Sequence, residues 1–113
     1  MKELIYPPEG GVLYDCDYTI NGRSIKKLII SNHYKKKHAK YVNDELIKQF
    51  ITDYLQGERF YNGKKDGEWE YFVSEPISYQ GKNYKLIWVL HDAIPDFLGV
   101  VNCCASNPKL KQN

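Results

Sequence analysis

Apolar and polar positions alternate from Val12 to Ile20, with Val12, Tyr14, Cys16, Tyr18 and Ile20 on one side. That period of two predicts a strand with one buried face. Asn21-Gly22 follows, and a type I′ turn needs positive φ at both central positions, which this pair supplies. Ser24–Ile30 is then the returning strand of a hairpin. Ser31 or Asn32 can cap a helix starting near His33. Over residues 33–41 helical spacing puts Tyr34, His38 and Tyr41 on one face, with His33 and Lys37 together on a neighbouring one. Asn43 predicts a second cap, with Asp44 and Glu45 favourably placed in the first turn. Leu46, Ile47, Phe50, Ile51, Tyr54 and Leu55 form an apolar stripe at helical spacing, and Gly57 ends it. Residues 62–68 read as turn chemistry. Trp69–Val73 is a strand, Pro76 marks an edge or bulge, and Ile77–Tyr79 resumes it. After a tight turn at residues 80–83, Tyr84–Leu90 is a rich strand. Residues 91–96 turn the chain, and Phe97–Ala105 is apolar enough to be central.

The order predicts an α+β fold: an antiparallel β-sheet, built from an N-terminal hairpin plus a C-terminal three-stranded meander, packed against two helices. With 113 residues it reads as a single domain, its core over about 12–106 and a loose C-terminal tail at 107–113. A chain of this mass buries roughly two-thirds of its surface, so a core forms without disulfide staples. Three cysteines, two adjacent, are no disulfide framework, and a reducing compartment is the simpler assumption. No apolar run approaches the roughly 18 residues of a membrane span, and residues 1–8 lack the apolar stretch of a signal peptide.

Charge changes the picture. The net is only +2, yet residues 23–48 hold eight basic and two acidic side chains. Such a basic segment on a mildly acidic remainder is a candidate anion site. It includes His33-Tyr34-Lys35-Lys36-Lys37-His38 and Lys40. Lysines hold phosphates as point charges, and histidine suits proton transfer near neutral pH. RNA cleavage by attack of the 2′-hydroxyl needs a base, an acid and a cation, which His33, His38 and Lys35–Lys37 can supply without metal or cofactor. The same residues fit a solvated basic helix with His38 packed beside Tyr34 and Tyr41. The spacing His-x4-His does not place two ligands on one helical face, so a zinc site is not expected.

Further candidates lie outside this window. Asn102, late in a central strand, must find hydrogen bonds, either in a neighbouring loop or in a cleft where it orients a phosphate or base. His91 directly follows the strand carrying Trp88. It is either structural or catalytic, the latter where the fold brings it beside His33. Ten of the 16 aromatics are tyrosines. Tyr71, Tyr79 and Tyr84 can stack bases, or simply follow strand propensity. There is no Gly-rich phosphate loop, Gly-x-Ser-x-Gly or His-Glu-x-x-His.

A basic His-containing helix, an amphipathic helix ending Leu-Gln-Gly, and the strands Tyr-Gln-Gly-Lys-Asn-Tyr-Lys-Leu-Ile-Trp-Val-Leu and Phe-Leu-Gly-Val-Val-Asn together give a resemblance over roughly residues 24–106. It is to the small bacterial ribonuclease toxins of the barnase/EndoU/colicin/RelE-like superfamily. The resemblance implies a helix-plus-sheet fold that cuts RNA without metal. His33, His38, His91 and Asn102 would be catalytic, and Lys35, Lys36, Lys37, Lys40 and Tyr79 would bind RNA. It also implies a cognate inhibitor protein, action in the cytoplasm, no membrane partner, and in some cases delivery as the C-terminal domain of a larger secreted toxin. The final strand departs from the pattern, continuing Asn-Cys-Cys-Ala in place of a basic or aromatic residue. The competing readings are a non-catalytic nucleic-acid- or protein-binding module of phage or mobile-element origin, and the neutralising partner of such a toxin.

Overall fold

The computed structural model describes residues 10–61 and 63–106. The predicted tail at 107–113, and the Pro7-Pro8 punctuation at the start, lie outside them. Strands β1 (Gly11–Ile20) and β2 (Arg23–Ser31) form the hairpin, joined by Asn21 (φ 54°) and Gly22 (φ 73°). A 3-10 turn, Asn32–Lys36, follows β2. Helix α1 (Asp44–Phe50) continues through wider π-type turns over Ile51–Leu55. Four strands complete the chain: β3 (Lys64–Asp66), β4 (Trp69–Tyr79), β5 (Lys82–His91) and β6 (Ile94–Ala105).

All six strands lie in one sheet, in the order β1-β2-β6-β5-β4-β3. The α+β prediction of two helices on an antiparallel sheet is therefore corrected in two respects. The described residues are mostly β, 57% strand, with one helix of 12 residues among them, and the sheet is mixed. The mixing follows from the path of the chain. Helix α1 carries it back along the sheet, so that the Gly57 N–H donates to the Thr19 carbonyl near the hairpin turn. Beginning there, β4 runs forward, β5 returns and β6 runs forward again, which makes β6 parallel to β2. Interior placement of β6 accords with its apolar run, Phe97–Val100 being buried throughout.

The predicted helix at 33–41 does not form. Only Asn32–Lys36 is helical, as a 3-10 turn, with Ser31 Oγ accepting from the His33 N–H at 3.0 Å. Its like charges lie three and four residues apart with no acidic partner between, which disfavours an α-helix. Tyr34 is the one side chain the turn buries, too little to support a longer helix. Beyond the turn, a bend at 38–41 leads to Asn43, which caps α1 by accepting from the Leu46 N–H at 2.8 Å.

The core lies between α1 and one face of the sheet. Ile47, Phe50, Ile51 and Leu55 pack there with Leu28, Ile30, Leu86, Trp88, Leu90, Leu98 and Val100. Asn21 ties the hairpin to this layer. Its side-chain amide accepts from the Phe60 N–H and donates to the Phe60 carbonyl at 3.2 Å, setting the Phe60 ring edge-on to Trp88. Strand β3 forms within residues 62–68, whose composition predicts only a turn. Its three exposed residues form a ribbon against Trp69–Tyr71 and leave the rest of β4 as an edge, broken by a bulge between Ser74 and Ile77 around Pro76.

Candidate functional site

The 3-10 turn and the bend after it occupy the end of the sheet where β2 and β6 finish and β5 begins. His33, Lys35, Lys36, Lys37 and Lys40 are exposed on this segment. His38 is half-buried. Its Nδ1 lies 2.8 Å from Tyr41 Oη, and the two rings meet edge to face at 5.8 Å. From the other side the β4–β5 turn brings in Lys82, whose Nζ sits 4.8 Å from the Tyr41 ring centroid. Tyr41 leans on Tyr84, and Tyr84 and Tyr79 both pack on Phe50, which seats the group on the core.

Of the candidates, then, His33, His38, Lys35–Lys37, Lys40 and Tyr79 share this end of the molecule. Tyr79 is half-buried and edge-on to Phe50 at 5.8 Å. Asn102 solves its burial locally: Oδ1 accepts from the Cys103 N–H at 2.9 Å. His91 is elsewhere. The Arg23 guanidinium, at the start of β2, donates to the His91 carbonyl at 3.0 Å. β2 has nine residues, so at roughly 3.3 Å per residue His91 and the 3-10 turn lie about 26 Å apart. His91 is buried there with a structural set of partners. Its Nδ1 accepts from the Ala93 N–H at 3.1 Å, Trp69 meets its ring edge-on at 4.5 Å, and Glu68 lies 3.6 Å from Nε2. Asp92 beside it pairs with Lys65 and Arg23. His91 does not come beside His33, the condition on which its catalytic reading depended, because the strand register sends them to opposite ends.

Three residues of the site escaped the sequence reading in their roles. Tyr41 was placed on a helix face that does not exist. Lys82 reads as a turn residue, and only the sheet brings it to Tyr41. Asp44 reads as a first-turn acid, yet it accepts from Tyr34 Oη at Oδ1 and Tyr14 Oη at Oδ2, both at 2.6 Å. The bond to Asp44 pushes the Tyr14 phenol up to about 12. Burial, then the same carboxylate, raises Tyr34. Burial pushes the Cys103 thiol, on β6 beneath the turn, up to about 12.

These raised values predict the alkaline limit of the fold. The folded state holds these protons more tightly than the unfolded chain, whose tyrosine and cysteine titrate near 10.0 and 9.0. Their stabilisation is complete below pH 9 and is lost as pH climbs through the window to 12. Melting temperature should be level below pH 9 and fall above it, and Tyr14→Phe should make the fall shallower. An equal slope in that variant would count against the Tyr14 contribution.

Among the described residues no three His, Cys, Asp or Glu side chains are grouped to hold a metal ion, and no helix is long and apolar enough to cross a membrane. No family model, curated protein or solved structure matches this chain.

Proposed function

We propose that the protein is a metal-independent endoribonuclease whose reacting groups are His38 and Tyr41, with Lys82 beside them and Lys35, Lys37 and Lys40 guiding the RNA backbone. The observation that carries this is the 2.8 Å contact between His38 Nδ1 and Tyr41 Oη next to the Lys82 ammonium. A proton-transfer pair beside a cation is what cleavage by the 2′-hydroxyl requires. In the working tautomer Nδ1–H donates to Tyr41 Oη, leaving Nε2 bare. Nε2 takes the proton from the 2′-hydroxyl, the 2′-oxygen bonds to phosphorus, and the bond from phosphorus to the 5′-oxygen breaks. Tyr41 Oη–H protonates the leaving oxygen and regains its proton from Nδ1. The products are a 2′,3′-cyclic phosphate and a 5′-hydroxyl, and Lys82 offsets charge on the phosphoryl oxygens. RNA as substrate makes the cytoplasm its site of action, and the same basic loop is where an acidic inhibitor protein would dock.

A second reading, a nucleic-acid-binding module without chemistry, is favoured by the separation of His91 from the other histidines. One experiment separates the two. Purified protein is incubated with a single-stranded RNA in EDTA, and ends and affinity are both measured. Cyclic phosphate ends support the nuclease. Salt-sensitive binding to RNA that stays intact supports the module and overturns the nuclease.

A further inference from the structure

The loop groups of the candidate site lie between two residues that are hydrogen-bonded to each other. Tyr34 Oη donates to Asp44 Oδ1 at 2.6 Å across ten positions of sequence. Lys35, Lys36, Lys37, His38, Lys40 and Tyr41 sit on the loop this bond closes. Inside it, the His38 N–H donates to the Tyr34 carbonyl at 2.7 Å, and the Val42 N–H donates to the His38 carbonyl at 3.0 Å. The loop is two turns hung between Tyr34, buried to 2% exposure, and the start of α1.

The other carboxylate oxygen is also used. Tyr14 Oη on β1 donates to Oδ2 at 2.6 Å, and Lys48, one turn along α1, sets its Nζ 3.5 Å from the Tyr14 ring centroid. A first-turn acid needs no such partners to favour a helix, and Asn43 already caps this one. Hydrogen bonds to an ionised acceptor are about twice as strong as neutral ones. Asp44 thus joins three elements, the 3-10 turn, β1 and α1, at the base of the loop.

We propose that Asp44, through Tyr34 and Tyr14, is a positioning clamp that fixes the 35–41 loop and so holds His38 and Tyr41 in place against Lys82. The inference rests on the ribonuclease reading for its kinetic consequence. None of the three clamp residues is among the reacting groups. Small misplacement of reacting groups is costly, with 1 Å worth on the order of 100-fold.

The test compares Tyr34→Phe and Tyr14→Phe with the unaltered protein. Each keeps its ring and removes one hydroxyl. Three readouts are taken: RNA cleavage kinetics, the imidazole 15N shift of His38, and thermal melting. The expected result is a fall in kcat of about 10- to 100-fold in Tyr34→Phe, with KM little changed, a moved His38 Nδ1 signal, and a cooperative melt well above the assay temperature. Unchanged kcat with an unmoved His38 signal overturns the clamp. So does a loss of activity that only tracks the unfolded fraction. Should Tyr34→Phe fail to fold, Tyr14→Phe decides by the same criteria. If the unaltered protein cuts no RNA, the ribonuclease reading fails by itself, and the His38 signal alone decides the clamp.

Discussion

Trp88→Ala is expected to remove a large share of the protein's stability and to lower its melting temperature by about 20 °C. Trp88 is fully buried on β5, at the centre of the layer beneath α1. Its ring stacks on Phe72 at 4.2 Å and 13°, and Phe60 meets it edge-on at 5.1 Å. Its indole N–H donates to Ser74 Oγ at 3.0 Å. Truncation empties that volume, strands two aromatic partners and removes the donor from Ser74. Such losses cost about 3–5 kcal/mol, against a total stability of about 5–15 kcal/mol for an ordinary domain. At roughly 4–8 °C per kcal/mol the melting temperature should fall by about 20 °C. Trp88→Phe keeps a stacking ring and loses mainly the hydrogen bond, so it should cost only about 1–2 kcal/mol. Urea titrations followed by circular dichroism measure both. A cost below about 1 kcal/mol for the alanine variant would contradict this account of the core.

His38→Ala is expected to lower RNA cleavage by about 100- to 10,000-fold, the usual worth of a general acid–base group. The side chain is half-buried and its polar contact is with the Tyr41 hydroxyl, so the fold should survive its removal. RNA affinity should change little, because in the proposed reading Lys35, Lys37, Lys40 and Lys82 hold the phosphates. The comparison that gives the result meaning is His91→Asn. Asparagine offers an acceptor near the place of Nδ1, where the Ala93 N–H now donates. This variant should lower the melting temperature and leave kcat alone, since His91 sits at the far end of β2. Equal cleavage by His38→Ala and the unaltered protein would remove His38 from the mechanism.

Particular residues show how much was legible. The hairpin followed from Asn21-Gly22, and the helix from Asn43 and the stripe ending at Leu55. Each of these signals is local: a turn that demands positive φ, a cap, a periodic apolar face. The strand Phe97–Ala105 was rightly read as central, because a run apolar on both faces needs neighbours on both sides. The segment 33–41 misled, since its helical spacing held no apolar stripe and its lysines had no acids to offset them. Strand β3 was invisible, being three exposed residues whose only support is pairing with β4.

The site divides the same way. His38 and the lysines at 35–40 were plain in the sequence, because charges a few residues apart stay together when the chain folds, whereas Arg23, Lys26 and Lys27 of the same basic window, along the hairpin, pair with Asp92, Asp17 and Asp15. That His91 lies apart, and that Lys82 and Tyr41 meet, followed only from the strand register and from β6 pairing parallel to β2. The two partners that Asp44 holds belong to the same category. By itself the sequence determined the elements with local causes and the place of the positive charge. The tertiary structure decided which distant side chains share an end of the sheet, because that depends on strand order and direction, which are set by how α1 returns the chain across the core.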